Sequence, residues 1–324
     1  MKILITGGAG YIGSIVSEVC LAEGDQVTVY DNLSTGHRPA VHPDAGLVVG
    51  DVGDQELLTA TLRDNAIEAV IHMAGFIEAG ESMKDPGKYF RNNSCRPISL
   101  LDAMVEAGVE RLLFSSTAAI YGDPETDILA EEHPQNPTNA YGESKLIFER
   151  ILDWYERIHG IRHAALRYFN AAGASAERGE DHHPESHLIP LVLQAALGKR
   201  PYVEIYGTDY PTGDGTCVRD YIDVRDLADA HLLALRNLAA GSIHYNLGNG
   251  QGYSVREVID AAREVTGIDF EVRETGRRQG DPVVLVASSA RIMDELGWQP
   301  KNTSLKAIVE SAWRWHQNNP RGYR

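Results

Sequence analysis

A tyrosine and a lysine one helical turn apart, in Tyr141-Gly142-Glu143-Ser144-Lys145, are the residues of this chain best suited to moving a proton. A phenol ionises near about pH 10 and is a poor base at neutrality. A neighbouring ammonium favours the phenolate, so the pair suits general acid–base work; the other reading has Lys145 surfacing and extending its charge into water. The spacing alone leaves both open. Asn136-Pro137-Thr138-Asn139 stop one segment and cap the next, and Gly160 supplies an end, which predicts a helix over 139–159. Tyr141, Lys145, Phe148, Leu152 and Tyr155 share one face of it, an inward stripe headed by the two polar groups.

The elements before that helix decide what it can work on. Ile3-Leu4-Ile5 predicts a strand cut by Thr6-Gly7-Gly8-Ala9-Gly10-Tyr11-Ile12-Gly13, with a helical pattern following to Gly24. Gly8, Gly10 and Gly13 fit G-x-G-x-x-G, in which glycines let helix-terminal amides approach a pyrophosphate. The next strand, Gln26 to Tyr30, runs into Asp31, where a carboxylate suits adenosine ribose hydroxyls and would repel a 2′-phosphate, favouring NAD over NADP. Strands at 47–51, 69–75, 111–117 and 161–168 alternate with helices at 54–63, 86–107 and 139–159. The fold class expected is therefore α/β, a Rossmann-like doubly wound parallel sheet. Its ligands lie beyond the carboxyl ends of the strands, where Asp51, Met73, Ser115, Ser116 and Thr117 fall. Hydroxyls at a strand tip more often cap backbone, but this tip faces the crevice where Tyr141 is expected.

Between Gly173 and His187 the periodicity stops, marking the passage to a smaller C-terminal α/β lobe. The division expected is 1–172 for the dinucleotide domain, rejoined by about 222–247, and 173–324 for the second lobe. Asp181-His182-His183 with His187 is read as a solvated loop without a metal, because no helix or strand fixes the spacing that zinc demands. Helices are expected at 188–197, 224–238, 255–265 and 305–315, and strands at 202–206 and 243–246. Arg219 and Arg278 lie in separate Gly- and Asp-rich loops. Two guanidinium groups suit a diphosphate; surface pairs with Asp220 and Asp281 are the plainer alternative.

The 324 residues carry a formal charge of −16, from 46 acidic and 30 basic side chains, which disfavours nucleic acid and anionic membranes as partners. Cys20, Cys95 and Cys217 are far apart and lack metal-type spacing, as expected of reduced thiols. No run approaches a membrane span, and Met1-Lys2-Ile3-Leu4-Ile5 has no cleavage-type leader, so a cytoplasmic location is expected.

The glycine segment, Asp31-Asn32-Leu33, Gly50-Asp51, Ser115-Ser116-Thr117 with Tyr121-Gly122, Tyr141-x-x-x-Lys145 and Arg167-Tyr168-Phe169-Asn170 together resemble an extended short-chain dehydrogenase/reductase. The segment 206–222, Tyr245-Asn246-Leu247-Gly248 and Arg277-Arg278-Gln279-Gly280-Asp281 resemble the UDP-sugar 4-epimerases of that family, in register over nearly the whole chain. The resemblance implies interconversion of UDP-galactose and UDP-glucose with bound NAD, and a homodimer. Tyr141, Lys145 and Thr117 are the implied catalytic set. The implied cofactor contacts are Gly7, Gly8, Gly10, Tyr11, Ile12 and Gly13; Asp31, Asn32, Leu33, Ser34, Thr35 and Gly36; Asp51 and Val52; Met73, Ala74 and Gly75; and Asn92, Ser115 and Phe169, with Tyr141 and Lys145 again. For the UDP-sugar, Asn170, Arg219 and Arg278 are implied for the diphosphate, Asp281 for the ribose, and Glu204 to Tyr206 for the uracil. Thr117, His187, Leu188 and Leu285 complete that set. The implied mechanism is a transient oxidation at sugar C4, turnover of the 4-keto sugar and return of the hydride, with the phenol moving the proton.

Ala118 and Ala119 follow Thr117, where the related dehydratases carry acids, so epimerisation is expected over elimination of water. A net oxidoreductase, or a non-catalytic nucleotide-binding regulator, is the competing class; the intact threonine, tyrosine and lysine argue against the regulator. Three positions depart from the usual family pattern: Ile77 replaces a frequent lysine, His187 a frequent asparagine, and Leu285 a tyrosine that crowds the sugar in some relatives. The smaller Leu285 leaves room for N-acetylhexosamine or pentose UDP-sugars.

Overall fold

The computed structural model describes residues 1–238, 241–278 and 281–323. In chain order the elements begin β1 (Lys2–Thr6), α1 (Tyr11–Ala22), β2 (Gln26–Asp31), β3 (Gly46–Val49), α2 (Gln55–Asp64), β4 (Ala69–His72), α3 (Ala79–Ser82), α4 (Pro86–Phe90), α5 (Pro97–Ala107) and β5 (Arg111–Thr117). They continue β6 (Ile128–Leu129), α6 (Ala140–His159), β7 (Arg162–Tyr168), β8 (Asn170–Ala172), α7 (Leu188–Ala196), β9 (Val203–Tyr206), β10 (Val218–Asp223) and α8 (Val224–Asn237). The chain ends β11 (Ile243–Leu247), β12 (Gly252–Ser254), α9 (Val255–Thr266), β13 (Val272–Thr275), β14 (Val284–Ala287), α10 (Ala290–Leu296) and α11 (Leu305–Asn318).

Seven parallel strands form the main sheet in the order β11-β7-β5-β4-β1-β2-β3. Each strand alternates its side chains between faces, so Ile3 and Ile5 pack with Ile15 and Val16 of α1 and Leu227 and Leu235 of α8, while Leu4 joins Leu58 of α2, Leu100 of α5, and Phe148 and Leu152 of α6. Both faces are thus covered, as an all-parallel sheet requires. The strand order reverses between β1 and β4, which opens a crevice at their carboxyl ends.

A second sheet follows the path β12-β10-β14-β6, with β8 pairing β10, and β13 pairs β9 as a separate ribbon. Strand β8 continues directly from β7, so one run of chain hands the main sheet over to the second. Of this region, the sequence pattern predicts β9 but not β10, β12, β13 or β14. The expected helix over 86–107 is three pieces in fact: α4, a π-helical turn over Arg91–Cys95, and α5. The turn is closed by the Arg96 amide donating to the Arg91 carbonyl at 2.9 Å. No helix among the described residues is long and apolar enough to cross a membrane.

Candidate active site

The glycine segment bends tightly because its own backbone fills the space that side chains would need. A Cβ on Gly13 would lie 2.3 Å from the Gly7 carbonyl oxygen, and one on Gly8 2.8 Å from Val29. Gly7 has φ +73° and sits against the Met73–Ala74 backbone, which ties the turn to the end of β4. Gly10 differs: a Cβ there would meet only the Gly7 oxygen, at 3.3 Å. Gly10 is also the N-cap of α1 and supplies no side chain to the helix's first amides. An open glycine before free helix-terminal N–H groups is the cradle a pyrophosphate needs.

Asp31 closes the other side. Its Oδ2 accepts from the Ala9 amide at 3.0 Å and its Oδ1 from the Leu33 amide at 2.8 Å, and burial raises its pKa against those two bonds. Asn32 accepts from the Ser34 amide at 3.0 Å and donates to Asp51 at 3.1 Å; Gly36 backs onto Ala9; Ser34 and Thr35 are exposed, and Val52 is buried. Arg96, absent from the sequence reading, holds Asp51 at 3.1 Å. The open Gly10 cradle and the rigid Asp31 carboxylate fit a dinucleotide.

Lys145 is 3% exposed, which rejects the reading of a lysine extended into water. Its Nζ donates to the Ser115 carbonyl at 2.8 Å and lies 4.9 Å from the centre of the Phe114 ring. A Cβ on Gly75 would fall 3.2 Å from this Nζ, so the lysine meets the β4 end of the crevice as well as the β5 end. Burial pushes the Lys145 pKa down to about 8, and Glu149 opposes the shift. Tyr141 stands one turn before Lys145 on α6, with the Thr117 hydroxyl at the end of β5 near its phenol. Burial raises the phenol's pKa, the nearby Thr117 hydroxyl lowers it and Glu78 raises it again, while the ammonium's own bond is to the Ser115 carbonyl.

Asn139 caps α6 by accepting from the Gly142 amide at 2.8 Å, which sets the first turn and so aims Tyr141. Beneath the pair, Glu149 accepts from Arg167 at 2.8 and 3.2 Å and from the Ser116 hydroxyl. Asn93, also absent from the sequence reading, is buried in the π turn; it accepts from the Phe76 amide at 2.9 Å and donates to the Ser144 hydroxyl at 3.1 Å and the Phe76 carbonyl at 3.0 Å. Asn92 donates to Asn93 at 3.1 Å. Two adjacent asparagines, weak helix formers, in the middle of a helical pattern were the available signal.

The residues implied for the UDP-sugar divide into two groups. Glu204 accepts from the Tyr206 hydroxyl at 2.8 Å; Arg278 lies 5.6 Å from the Tyr206 ring centre and donates to Asp281 at 2.9 and 3.0 Å; Arg219 lies 3.7 Å from Asp281. Leu285 is Arg219's register partner across β10 and β14, and Asn170 donates to the Asp220 carbonyl at 2.9 Å. These residues are continuous with one another, and Phe169 joins Leu285 in the apolar cluster with Leu129, Leu146 and Ala287. Gln279 and Gly280 of the same motif lie outside the described residues. Asp220 is not a surface partner for Arg219, as the sequence alternative had it: it is fully buried and accepts amides from Asn249, Gly250 and Ala287.

His187 and Leu188 come from the N-terminal end of α7. Leu188 begins α7 and packs on the core with Tyr221 and Ile205, while His187 Nδ1 meets Glu180 and Glu185. The 173–187 segment is not the solvated loop expected. Arg178 and Glu180 are buried, Arg178 binds Glu18 and the Ala40 carbonyl, and the Tyr11 hydroxyl donates to the Gly173 carbonyl at 2.7 Å. Tertiary contacts with α1, not a local period, hold it in place.

Comparison with known proteins identifies the family. Residues 3–248 match the model of the NAD dependent epimerase/dehydratase family. The chain is 49% identical to a UDP-glucose 4-epimerase of Lacticaseibacillus casei, over 100% of this chain and 99% of that one. A crystal structure of a UDP-glucose 4-epimerase superposes with a TM-score of 0.98 at 48% identity, covering 100% of both chains. The Brucella ovis UDP-glucose 4-epimerase, solved in complex with NAD, superposes at 0.94 with 44% identity, over 96% of this chain and 97% of that one.

Proposed function

Since the chain belongs to the NAD dependent epimerase/dehydratase family and is an NAD-dependent UDP-sugar 4-epimerase, we propose that it interconverts UDP-galactose and UDP-glucose with Thr117, Tyr141 and Lys145 as its catalytic residues. The observation that carries the assignment is the buried Lys145 ammonium, one helical turn from Tyr141, held at the Ser115 carbonyl and against Gly75, beside the glycine turn through Ala74 and Gly7. Bound NAD supplies reversible hydride acceptance at sugar C4. Gly10 and the first amides of α1 hold its pyrophosphate and Asp31 its adenosine ribose, with Asn32, Asp51 and Val52 around the adenine. Tyr141 takes the proton of the 4-hydroxyl as phenolate, Thr117 holds the same oxygen, and Lys145 keeps positive charge at the buried end of the pair.

Arg219 and Arg278 anchor the diphosphate, Asp281 the uridine ribose and the Glu204–Tyr206 strand the uracil, so the oxidised sugar turns while its anchor stays fixed. Residues 1–172 with 222–247 form the NAD domain and the remainder the UDP-sugar lobe. Ala118 and Ala119 offer no acid for elimination. The test is optical and chromatographic: purified protein given UDP-galactose and no added cofactor makes UDP-glucose without accumulating NADH. Stoichiometric NADH, or undiminished turnover by Tyr141→Phe, would refute it.

A second reading concerns breadth. Leu285, beside Arg219 and Phe169, leaves more room than an aromatic side chain, which supports acceptance of N-acetylhexosamine or pentose UDP-sugars. A preference of several orders for UDP-galactose over UDP-N-acetylgalactosamine would end that reading. The active form is a cytoplasmic homodimer. Exposed Trp154 and Ile158 on α6 and Val105 on α5, two helices tied by the Tyr155–Asp102 hydrogen bond, support a second copy as the occupant of that face.

A further inference from the structure

Beside the glycine turn, where Gly173 accepts from Tyr11 and Ser186 donates to Glu78, the 173–187 segment brings four ligand-type side chains around one point. Glu180 Oε1 lies 2.8 Å from His187 Nδ1 and 3.1 Å from His182 Nδ1. Glu185 Oε1 lies 2.9 Å from His187 Nδ1, and its Oε2 3.9 Å from His182 Nδ1. One atom from each residue falls within 4.8 Å of all the others. Zinc bonds of about 2.0–2.1 Å imply tetrahedral ligand–ligand edges of roughly 3.3 Å, and the contacts of 2.8, 3.1 and 2.9 Å, with 3.9 Å to the second Glu185 oxygen, lie on either side of that length. We propose that Glu180, His182, Glu185 and His187 form a closed four-ligand site for a divalent transition metal of the zinc type.

The donor set selects the metal class. Calcium and magnesium take oxygen ligands, whereas two imidazoles with two carboxylates suit zinc. The carboxylates are held in place: the Glu180 and Glu185 side chains are 6% and 5% exposed, and Glu185 Oε1 also accepts the Ser186 and His187 amides at 2.8 Å. The two carboxylates, removed from water, are paired with the two imidazoles, and one divalent ion shared by all four would carry the same compensating charge in place of the shared protons. Neighbouring acids and histidines do not join the set. Asp181 turns to the Tyr323 amide at 3.0 Å and to His37, and His183 bonds the His182 carbonyl.

With all four positions filled by protein, the metal is structural and not catalytic. It staples the loop to the first turn of α7 beside α1, where the His182 ring lies edge-on to Tyr11 at 6.2 Å. The inference does not depend on the reaction assigned above, and metal content tests it separately from turnover.

The experiment takes the whole chain, strips it with a chelator, reloads it with Zn²⁺ and measures bound metal by mass spectrometry. Wild type and His183→Ala hold about one equivalent, while His182→Ala and Glu185→Gln retain less than about a tenth. Zinc at a hundredfold excess over Kd raises the wild-type melting temperature by roughly 5 °C and leaves that of His182→Ala unchanged. Because a ligand variant can misfold, Co²⁺ loaded into wild type gives an independent readout, the intense visible absorption of a four-coordinate ion. Zinc below about a tenth of an equivalent in wild type, retention by the His182→Ala/Glu185→Gln double variant, or a six-coordinate cobalt spectrum would overturn the proposal.

Discussion

Glu149 with Arg167, beneath the Tyr141 helix, and Asp281 with Arg278, at the mouth of the second lobe, are both arginine–carboxylate pairs at about hydrogen-bond distance, yet they live in different solvents. The first pair is 4% and 3% exposed and is joined by Ser116 and Tyr121, so each charge depends on the other. In the second pair the Arg278 side chain is 60% exposed, and Arg219 waits 3.7 Å from the same aspartate. A buried pair that loses one member leaves an uncompensated charge in low dielectric, whereas an exposed pair exchanges partners with water at little cost. The chemical end of the crevice is therefore built in advance, and the anchoring end is free to trade its carboxylate for phosphate oxygens.

Four measurements would sharpen or break that contrast. At the chemical end, Tyr141→Phe removes the proton-transfer group without emptying the nucleotide site, so kcat falls roughly 10²–10⁴-fold while NAD and UDP binding, followed by calorimetry, stay near wild type. A parallel loss of binding would mean that the phenol is an anchor. At the anchoring end, Arg278→Ala and Arg219→Ala raise KM for UDP-galactose by roughly 10–100-fold, the worth of a charge-assisted hydrogen bond, and hardly change the melting temperature.

Glu149→Gln does the reverse: denaturant unfolding shows a loss of about 3–5 kcal/mol, and adding Arg167→Met recovers much of it because the orphaned charge goes too. The pair also sets a pH dependence. Burial raises the Glu149 carboxyl, but the Arg167 guanidinium and its hydrogen bonds outweigh burial and hold the pKa below the ordinary glutamate value. A carboxylate depressed on folding gives stability that is complete above its unfolded pKa and fades as pH falls through the folded one. A denaturation series from about pH 6 to about pH 3 should show the Glu149→Gln penalty shrinking toward the acid end; a constant difference would show that the pair is not the source. The smallest effect belongs to Arg277→Ala, whose bond to Asp209 is a surface contact, and both stability and KM should remain at wild-type values.

The alternating half of the chain was legible because its determinants are local. Short continuous apolar runs, the glycine turn and the Asn139 and Gly160 caps each act over a few residues, so the main sheet, α1, α6 and the Tyr141–Lys145 pair follow from reading along the chain. Strands β10, β12 and β14 did not, because Val218-Arg219-Asp220 and its partners become strands through pairing between distant segments and through a buried Asp220 that collects amides from the 249–250 loop and from β14. The same holds at the site. Sequence supplied Thr117, Tyr141 and Lys145 as a set, but only the packing of α6 on β5 showed the ammonium buried and bonded to the Ser115 carbonyl.

The 173–187 segment marks the boundary most clearly. Its missing periodicity was read as a solvated loop without a metal, since an aperiodic loop has no intrinsic shape. Tyr11, Glu18 and Ala40 gave it one, turning Glu180 and Glu185 toward the two imidazoles and Asp181 away. What lies within one turn or one strand is encoded in side-chain pattern. What depends on two distant segments meeting is decided by the core that brings them together.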